Sequence, residues 1–154
     1  MEGLIQTLES LGPVAALRTS TIAYPAVNAL HIIGLGLLLG AVVALDLRIL
    51  GWRRRPNWRD EAMDLGRLAA LGLALALVTG LALLSVRIGR YLENPALWLK
   101  FALIALGLAN ALWLGRHLRL SGSEPSVAIR LGAAVSLAVW PAAIFAGRWI
   151  AFVE

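Results

Sequence analysis

The 154-residue chain has no cysteine, one lysine, two histidines and two methionines. Without Cys there is no disulfide, no thiolate metal ligand and no redox thiol, so cysteine usage does not point to a compartment. Only 15% of the residues are charged and 60% are hydrophobic, whereas a soluble domain is roughly 25% charged. Acidic residues are the scarcer sign, nine against 14 basic ones, which leaves a net charge of +5. In a soluble protein that excess would suggest nucleic acid. Here the Arg residues cluster between apolar runs, where topology and anionic headgroups explain them, and no nucleic-acid partner is expected. The chain also lacks a Gly-rich phosphate loop, an HExxH motif, a carboxylate pair within an apolar run and a nucleophile beside a base. Ser85 and Ser136 are isolated on apolar stretches and read as packing residues.

The apolar residues form four blocks, at about 22–50, 67–88, 95–117 and 127–152, and the mean hydropathy is +0.79. Each block is near the roughly 20 residues that a helix needs to cross about 30 Å of hydrocarbon. The expected fold is therefore all-α: an integral membrane four-helix bundle, a single domain over residues 1–154 with little mass outside the bilayer. Ahead of it, Leu4, Ile5, Leu8, Leu11, Val14 and Leu17 recur at helical spacing among polar residues. They suggest a short amphipathic helix within residues 1–20, lying on the membrane surface. The opening MEGLIQTLESLG has no basic segment before its apolar residues and does not resemble a cleaved signal peptide.

Punctuation between the blocks is clear. Thr19, Ser20 and Thr21 are helix-capping candidates, and Pro25 suits a first turn. GWRRRPNWRDEAMD reads as a loop, GRYLENP as a turn, Pro95 as a helix start and Pro141 as a kink in the fourth span. Small residues recur every fourth position at Gly36/Gly40, Gly72/Ala76/Gly80, Ala111/Gly115 and Ala143/Gly147. In a bilayer such stripes let helix backbones approach, within the bundle or in a homo-oligomer. Arg48, Arg53, Arg54, Arg55, Arg59 and Arg67 flank the first interspan loop, and Arg116, Arg119 and Arg130 the third. By the positive-inside rule both termini face outward, in a multi-pass protein of a bacterial inner membrane.

Polar residues within apolar spans carry the functional signal, since a polar group in hydrocarbon needs a partner or a task. His31 lies roughly 13 Å below the outer end of its span at 1.5 Å per residue. Asn28 and Tyr24 precede it on the same face. Lys100 lies about 7 Å below the same side, and Arg87 and Arg148 close the second and fourth spans there. All four helices thus offer a polar group to the outer half. Arg87, Arg148 and Lys100 also suit snorkelling to the interface, and Tyr24, Trp98 and Trp149 an aromatic belt. His31 is a candidate ligand or proton carrier, or else a hydrogen-bonding group between helices. His117 falls near the opposite end, about 20 Å away in depth, so the two histidines cannot share one iron. It belongs with the basic rim there, near a polar cluster of Asp46, Arg48 and Asn110.

ALHIIGLGLLLGAVVALDLRIL resembles the first helix of the HemJ-type protoporphyrinogen oxidases, and ALWLKFALIALGLANALW resembles a later helix in which Trp-Leu precedes a Lys. That family is associated with b-type haem, and its important His and Lys would fall on His31 and Lys100. The chain departs from it at ILGWRR and near Asn110, where the family has further histidines, and at the closing AGRWIAF. Its outline is more similar to an uncharacterised family of four-helix bacterial inner-membrane proteins with a YP…H opening and a GRW close. CopD-type copper-resistance proteins are looser relatives in appearance.

The resulting expectation is a haem-b membrane protein in which His31 ligates the metal. Lys100, Asn28 and Tyr24 would serve catalysis, and Arg87 and Arg148 would hold propionates or an acidic substrate. Its reaction would be electron transfer involving a quinone or a porphyrin-like molecule. The alternatives are a non-enzymatic membrane subunit, a small-molecule or copper-handling protein, and an oligomeric pore lined by His31.

Overall fold

The computed structural model describes residues 12–52, 58–86, 88–120, 124–150 and 152. Within them lie a short helix α1 (Gly12–Thr19), a long α2 (Ala23–Ile49), a long α3 (Trp58–Ser85), a single-turn α4 (Ile88–Leu92), and the long α5 (Pro95–Leu120) and α6 (Val127–Trp149). The four long helices are all apolar enough to cross a membrane, and the chain is an all-α, multi-pass membrane protein. At 1.5 Å per residue α2 is about 40 Å long, so its ends pass beyond the hydrocarbon into the headgroup region.

Local chemistry sets the boundaries. The Ser20 hydroxyl accepts from the Ile22 and Ala23 N–H groups and so starts α2, with Pro25 in its first turn. Ser126 caps α6 by accepting from the Ile129 N–H. Asn94 performs two tasks. Its Oδ1 accepts from the Ala96 N–H at the start of α5, and its Nδ2 donates to the Ile150 carbonyl at the end of α6. α6 runs unbroken through Pro141. Of the surface helix expected over residues 1–20, the part within the described residues is α1, which buries none of its side chains.

One boundary corrects the sequence reading. α3 begins at Trp58, not near Arg67, so WRDEAMD is helix rather than loop. Trp58 and Ala62, one turn apart, are buried with Ile49, Leu114, Ile129 and Ala133 in a cluster drawn from all four long helices. Asp60 and Glu61 lie in the first turn, where acidic groups favour a helix start, and Glu61 pairs with Arg48 of α2. Pro56 and Asn57 are the breakers that make the whole stretch read as loop, but the apolar residues that follow them have helical spacing.

The bundle consists of two antiparallel hairpins, α2/α3 and α5/α6, joined by packing of α2 on α6. Two apolar clusters fill it. One lies at the Arg48 end, and the other, around Leu38, Ala41, Val42, Ala69 and Trp140, near mid-depth. Large residues such as Ile32, Leu71, Val78, Leu106 and Phe145 face outward. Lipid solvates them as well as a protein core would, so helix association depends on close packing of small residues. Gly107 illustrates this, since a Cβ there would fall 3.0 Å from the Trp140 ring.

Candidate functional site

The site grows out of the seam between α2 and α3. At mid-depth the two backbones touch. A Cβ on Gly34 would lie 2.8 Å from the Ala76 nitrogen, and one on Gly72 would lie 2.5 Å from the Leu38 nitrogen. About one turn nearer the start of α2, the seam admits one flat ring. The His31 imidazole lies over Gly80, with Cε1 at 3.0 Å and Nδ1 at 3.4 Å from where a Cβ would be. Beyond it the seam opens into a cavity of about 240 Å³ lined by Arg18, Tyr24, Leu83, Val86 and Tyr91. Backbone contact, ring and cavity therefore succeed one another along one pair of helices.

Hydrogen bonding fixes the ring. His31 Nδ1 lies 3.1 Å from Thr79 Oγ1, and the Thr79 hydroxyl donates to the Leu75 carbonyl at 2.6 Å. With its proton donated to Leu75, the hydroxyl oxygen is available to accept from His31, an arrangement that puts the imidazole hydrogen on Nδ1. A neutral imidazole with hydrogen on Nδ1 keeps a lone pair on Nε2. Nε2 is the ring nitrogen farther from α3, 3.9 Å from the Gly80 Cβ position, and has no hydrogen-bond partner among the described residues. In that tautomer Nε2 is the ring nitrogen available to a ligand.

Lys100 comes to the same region from α5. Its Nζ lies 3.1 Å from the Cβ position of Gly147 on α6, so the side chain crosses the α5/α6 pair over a glycine, as His31 crosses α2/α3. His31 and Lys100, the two residues to which the family resemblance also leads, each lie over a glycine of the neighbouring helix at the same end of the bundle.

The other candidates are placed differently. Tyr24 lines the cavity above His31. Asn28 is exposed and has no hydrogen bond to a described residue. Arg148 is exposed too, its guanidinium 5.1 Å from the centroid of the Phe152 ring, which is the snorkelling arrangement. Arg87 lies outside the described residues. His117 stacks on Trp113 at the Arg48 end with centroids 4.3 Å apart, and its Nδ1 pairs with the Trp113 carbonyl. Asp46 and Asn110 lie toward the Arg48 end of the bundle. Asn110 donates to the Gly132 carbonyl, whereas Asp46, only 1% exposed, faces Ser136 with neither oxygen in a hydrogen bond.

Thr79, Gly80 and Gly147 were missed as site residues by the sequence reading. A signal for the first was present, since Thr79 is the only Thr in the four long helices. Among the small-residue stripes, Gly72/Ala76/Gly80 packs on α2, but Gly36, Gly40 and Gly115 have nothing within 4 Å of a Cβ. The partner of Gly72 is Gly34, outside the stripe expected on α2.

Comparison with protein families, with characterised proteins and with solved structures finds no match to the chain. The geometry therefore carries the functional argument. Among the described residues no three His, Cys, Asp or Glu side chains converge to hold a metal ion. The donor set is a single, well-oriented imidazole nitrogen. A bare ion needs several protein ligands. A chelated metal needs one or two.

Proposed function

We propose that the protein binds haem b in the outer half of the bundle, with His31 Nε2 as an axial ligand, and serves a redox or electron-transfer role. The observation that supports this most is the His31–Thr79 bond, which holds the imidazole on Gly80 with its outer lone pair free. A porphyrin brings four ligands of its own, so one protein nitrogen with a fixed orientation suits it where a bare ion would be poorly held. Bound haem would supply one-electron chemistry at a potential that pocket polarity tunes. Thr79 would orient the ligand and raise its basicity, and Lys100 would present positive charge to a propionate or an acidic substrate. Arg148, turned onto Phe152, is replaced in that role by Lys100. A copper-handling function has less support, because among the described residues the same region offers no second His and no Met or Cys.

In this reading the protein is in a bacterial cytoplasmic membrane with both termini outward, since the Arg-rich loops flank the end opposite His31. A quinone or porphyrin-like partner would then approach from the outer leaflet. A second copy of the chain would pack on the open Gly36/Gly40 face of α2, where the backbone is accessible.

The test is an absorption spectrum of the purified protein, oxidised and dithionite-reduced, beside His31→Ala and Thr79→Val. A Soret band with reduced α and β bands, absent in His31→Ala and weakened or shifted in Thr79→Val, is expected. A colourless protein from haem-replete cells, or a spectrum unchanged in His31→Ala, overturns the proposal.

A further inference from the structure

The cavity at the open end of the α2/α3 seam has a one-sided chemistry. Its polar lining residues are Arg18, Tyr24 and Tyr91, and its apolar ones are Leu83 and Val86. Guanidinium nitrogens only donate, and both phenols can donate, so three side chains offer N–H or O–H groups to one space. Among the described residues no Asp or Glu lines it, and Arg18 has no salt bridge to a described carboxylate. A space rich in donors and carrying a fixed positive charge favours an anionic oxygen group. Leu83 and Val86 favour hydrocarbon beside it.

Depth supports the same conclusion. Arg18 ends α1 and Tyr24 begins α2, so both lie where a helix of about 40 Å leaves about 30 Å of hydrocarbon and meets the headgroups. Leu83 lies one turn beyond Thr79 and Tyr24 two turns before His31, so the cavity continues the seam on the same faces of α2 and α3. An amphiphile entering from the outer leaflet meets the donors first.

We infer that this cavity binds the phosphate or carboxylate head of an anionic amphiphile, with Arg18 pairing with the anion, Tyr24 and Tyr91 donating to its oxygens, and Leu83 and Val86 contacting its chain. The inference is independent of whether His31 holds haem. A bidentate Arg–anion pair with added phenol donors is a specific site, unlike the diffuse attraction of the bilayer surface for basic residues.

The test uses the full chain in nanodiscs of phosphatidylcholine, titrated with phosphatidylglycerol or with oleate, and reads retained ligand by native mass spectrometry and the shift in melting temperature. Arg18→Gln is compared with the Tyr24→Phe/Tyr91→Phe double variant, which keeps both rings, and with Arg130→Gln at the opposite end. Arg18→Gln is expected to weaken retention about tenfold or more, as loss of a charge-assisted bond does, and the double variant less. Arg130→Gln is expected to leave it unchanged. Retention of phosphatidylglycerol identifies a lipid phosphate as the source of the anion, and retention of oleate alone a carboxylate; either result supports the site. Equal loss in Arg18→Gln and Arg130→Gln, or no retention of either anion above phosphatidylcholine, overturns it.

Discussion

Gly72→Ala adds one methyl group to the α2/α3 seam, and the structure says what that methyl meets. Its carbon would fall 2.5 Å from the Leu38 nitrogen, 2.9 Å from the Gly34 carbonyl oxygen and 3.0 Å from the Leu37 carbonyl carbon. All three are backbone atoms in the middle of a helix, so no rotamer change relieves the contact. Ordinary contact begins at 3.4 Å, and the helices must separate locally by about 0.9 Å to reach it. Over-packing of this kind costs about 1–3 kcal/mol. Against that stands the intrinsic preference for Ala over Gly in a helix, roughly 0.8–1.0 kcal/mol in the other direction. The net expectation is destabilisation of about 0–2 kcal/mol.

Gly36→Ala and Gly40→Ala are the controls, because nothing lies within 4 Å of a Cβ at either position. Within a single chain the helix preference acts alone there, and the stability of the monomer in detergent should stay level or rise. The separation should also reach the site, since the His31–Thr79 bond at 3.1 Å fails once stretched beyond about 3.5 Å. Thermal unfolding in one detergent, with the visible spectrum recorded alongside, measures both effects. If Gly72→Ala proves as stable as Gly36→Ala, the backbone contact is not what holds these helices together, and the account of the seam is wrong.

Three further outcomes follow from particular contacts. Gly80→Ala places a methyl 3.0 Å from the His31 ring, which can swing away, so it should alter or abolish a His31-dependent spectrum with a melting temperature close to wild type. Asn94→Ala removes both the cap on Ala96 and the bond to the Ile150 carbonyl, and should cost about 1–2 kcal/mol in thermal unfolding. Arg48→Ala removes the cation from the half-buried Glu61 and should cost about 1–3 kcal/mol, with Arg48→Ala/Glu61→Ala recovering part of the loss in a double-mutant cycle.

Span number and approximate depth were legible in the sequence because hydrocarbon thickness imposes them on any chain. His31 and Lys100 were legible for the same reason, as isolated polar groups in apolar runs. Helix rotation was not. Apolar residues cover every face of α2 and α5, so the sequence pattern could not say that Gly34, rather than Gly36 or Gly40, meets Gly72. The start of α3 was hidden by the breakers Pro56 and Asn57, which made the stretch around Trp58 and Ala62 read as loop and masked a buried stripe that only the Ile49 and Ile129 contacts reveal.

The same limit explains why the site was visible as residues but not as an arrangement. What distinguishes His31 from a histidine that merely bridges two helices is the direction of one hydroxyl hydrogen. Had Thr79 turned its proton to His31, the ring would accept at Nδ1 and carry hydrogen on Nε2, where it could bind no metal. The 2.6 Å bond from Thr79 to the Leu75 carbonyl decides against that. Such a bond forms within one turn of α3, so it holds however the hairpins shift relative to each other. Thr79→Ser keeps the hydroxyl but loses the methyl that restricts its rotamer. It should therefore retain ligand binding with a broader, less uniform spectrum, whereas Thr79→Val loses the acceptor outright. If Thr79→Ser and Thr79→Val behave alike, the hydroxyl does not set the tautomer of His31, and the case for a free Nε2 fails with it.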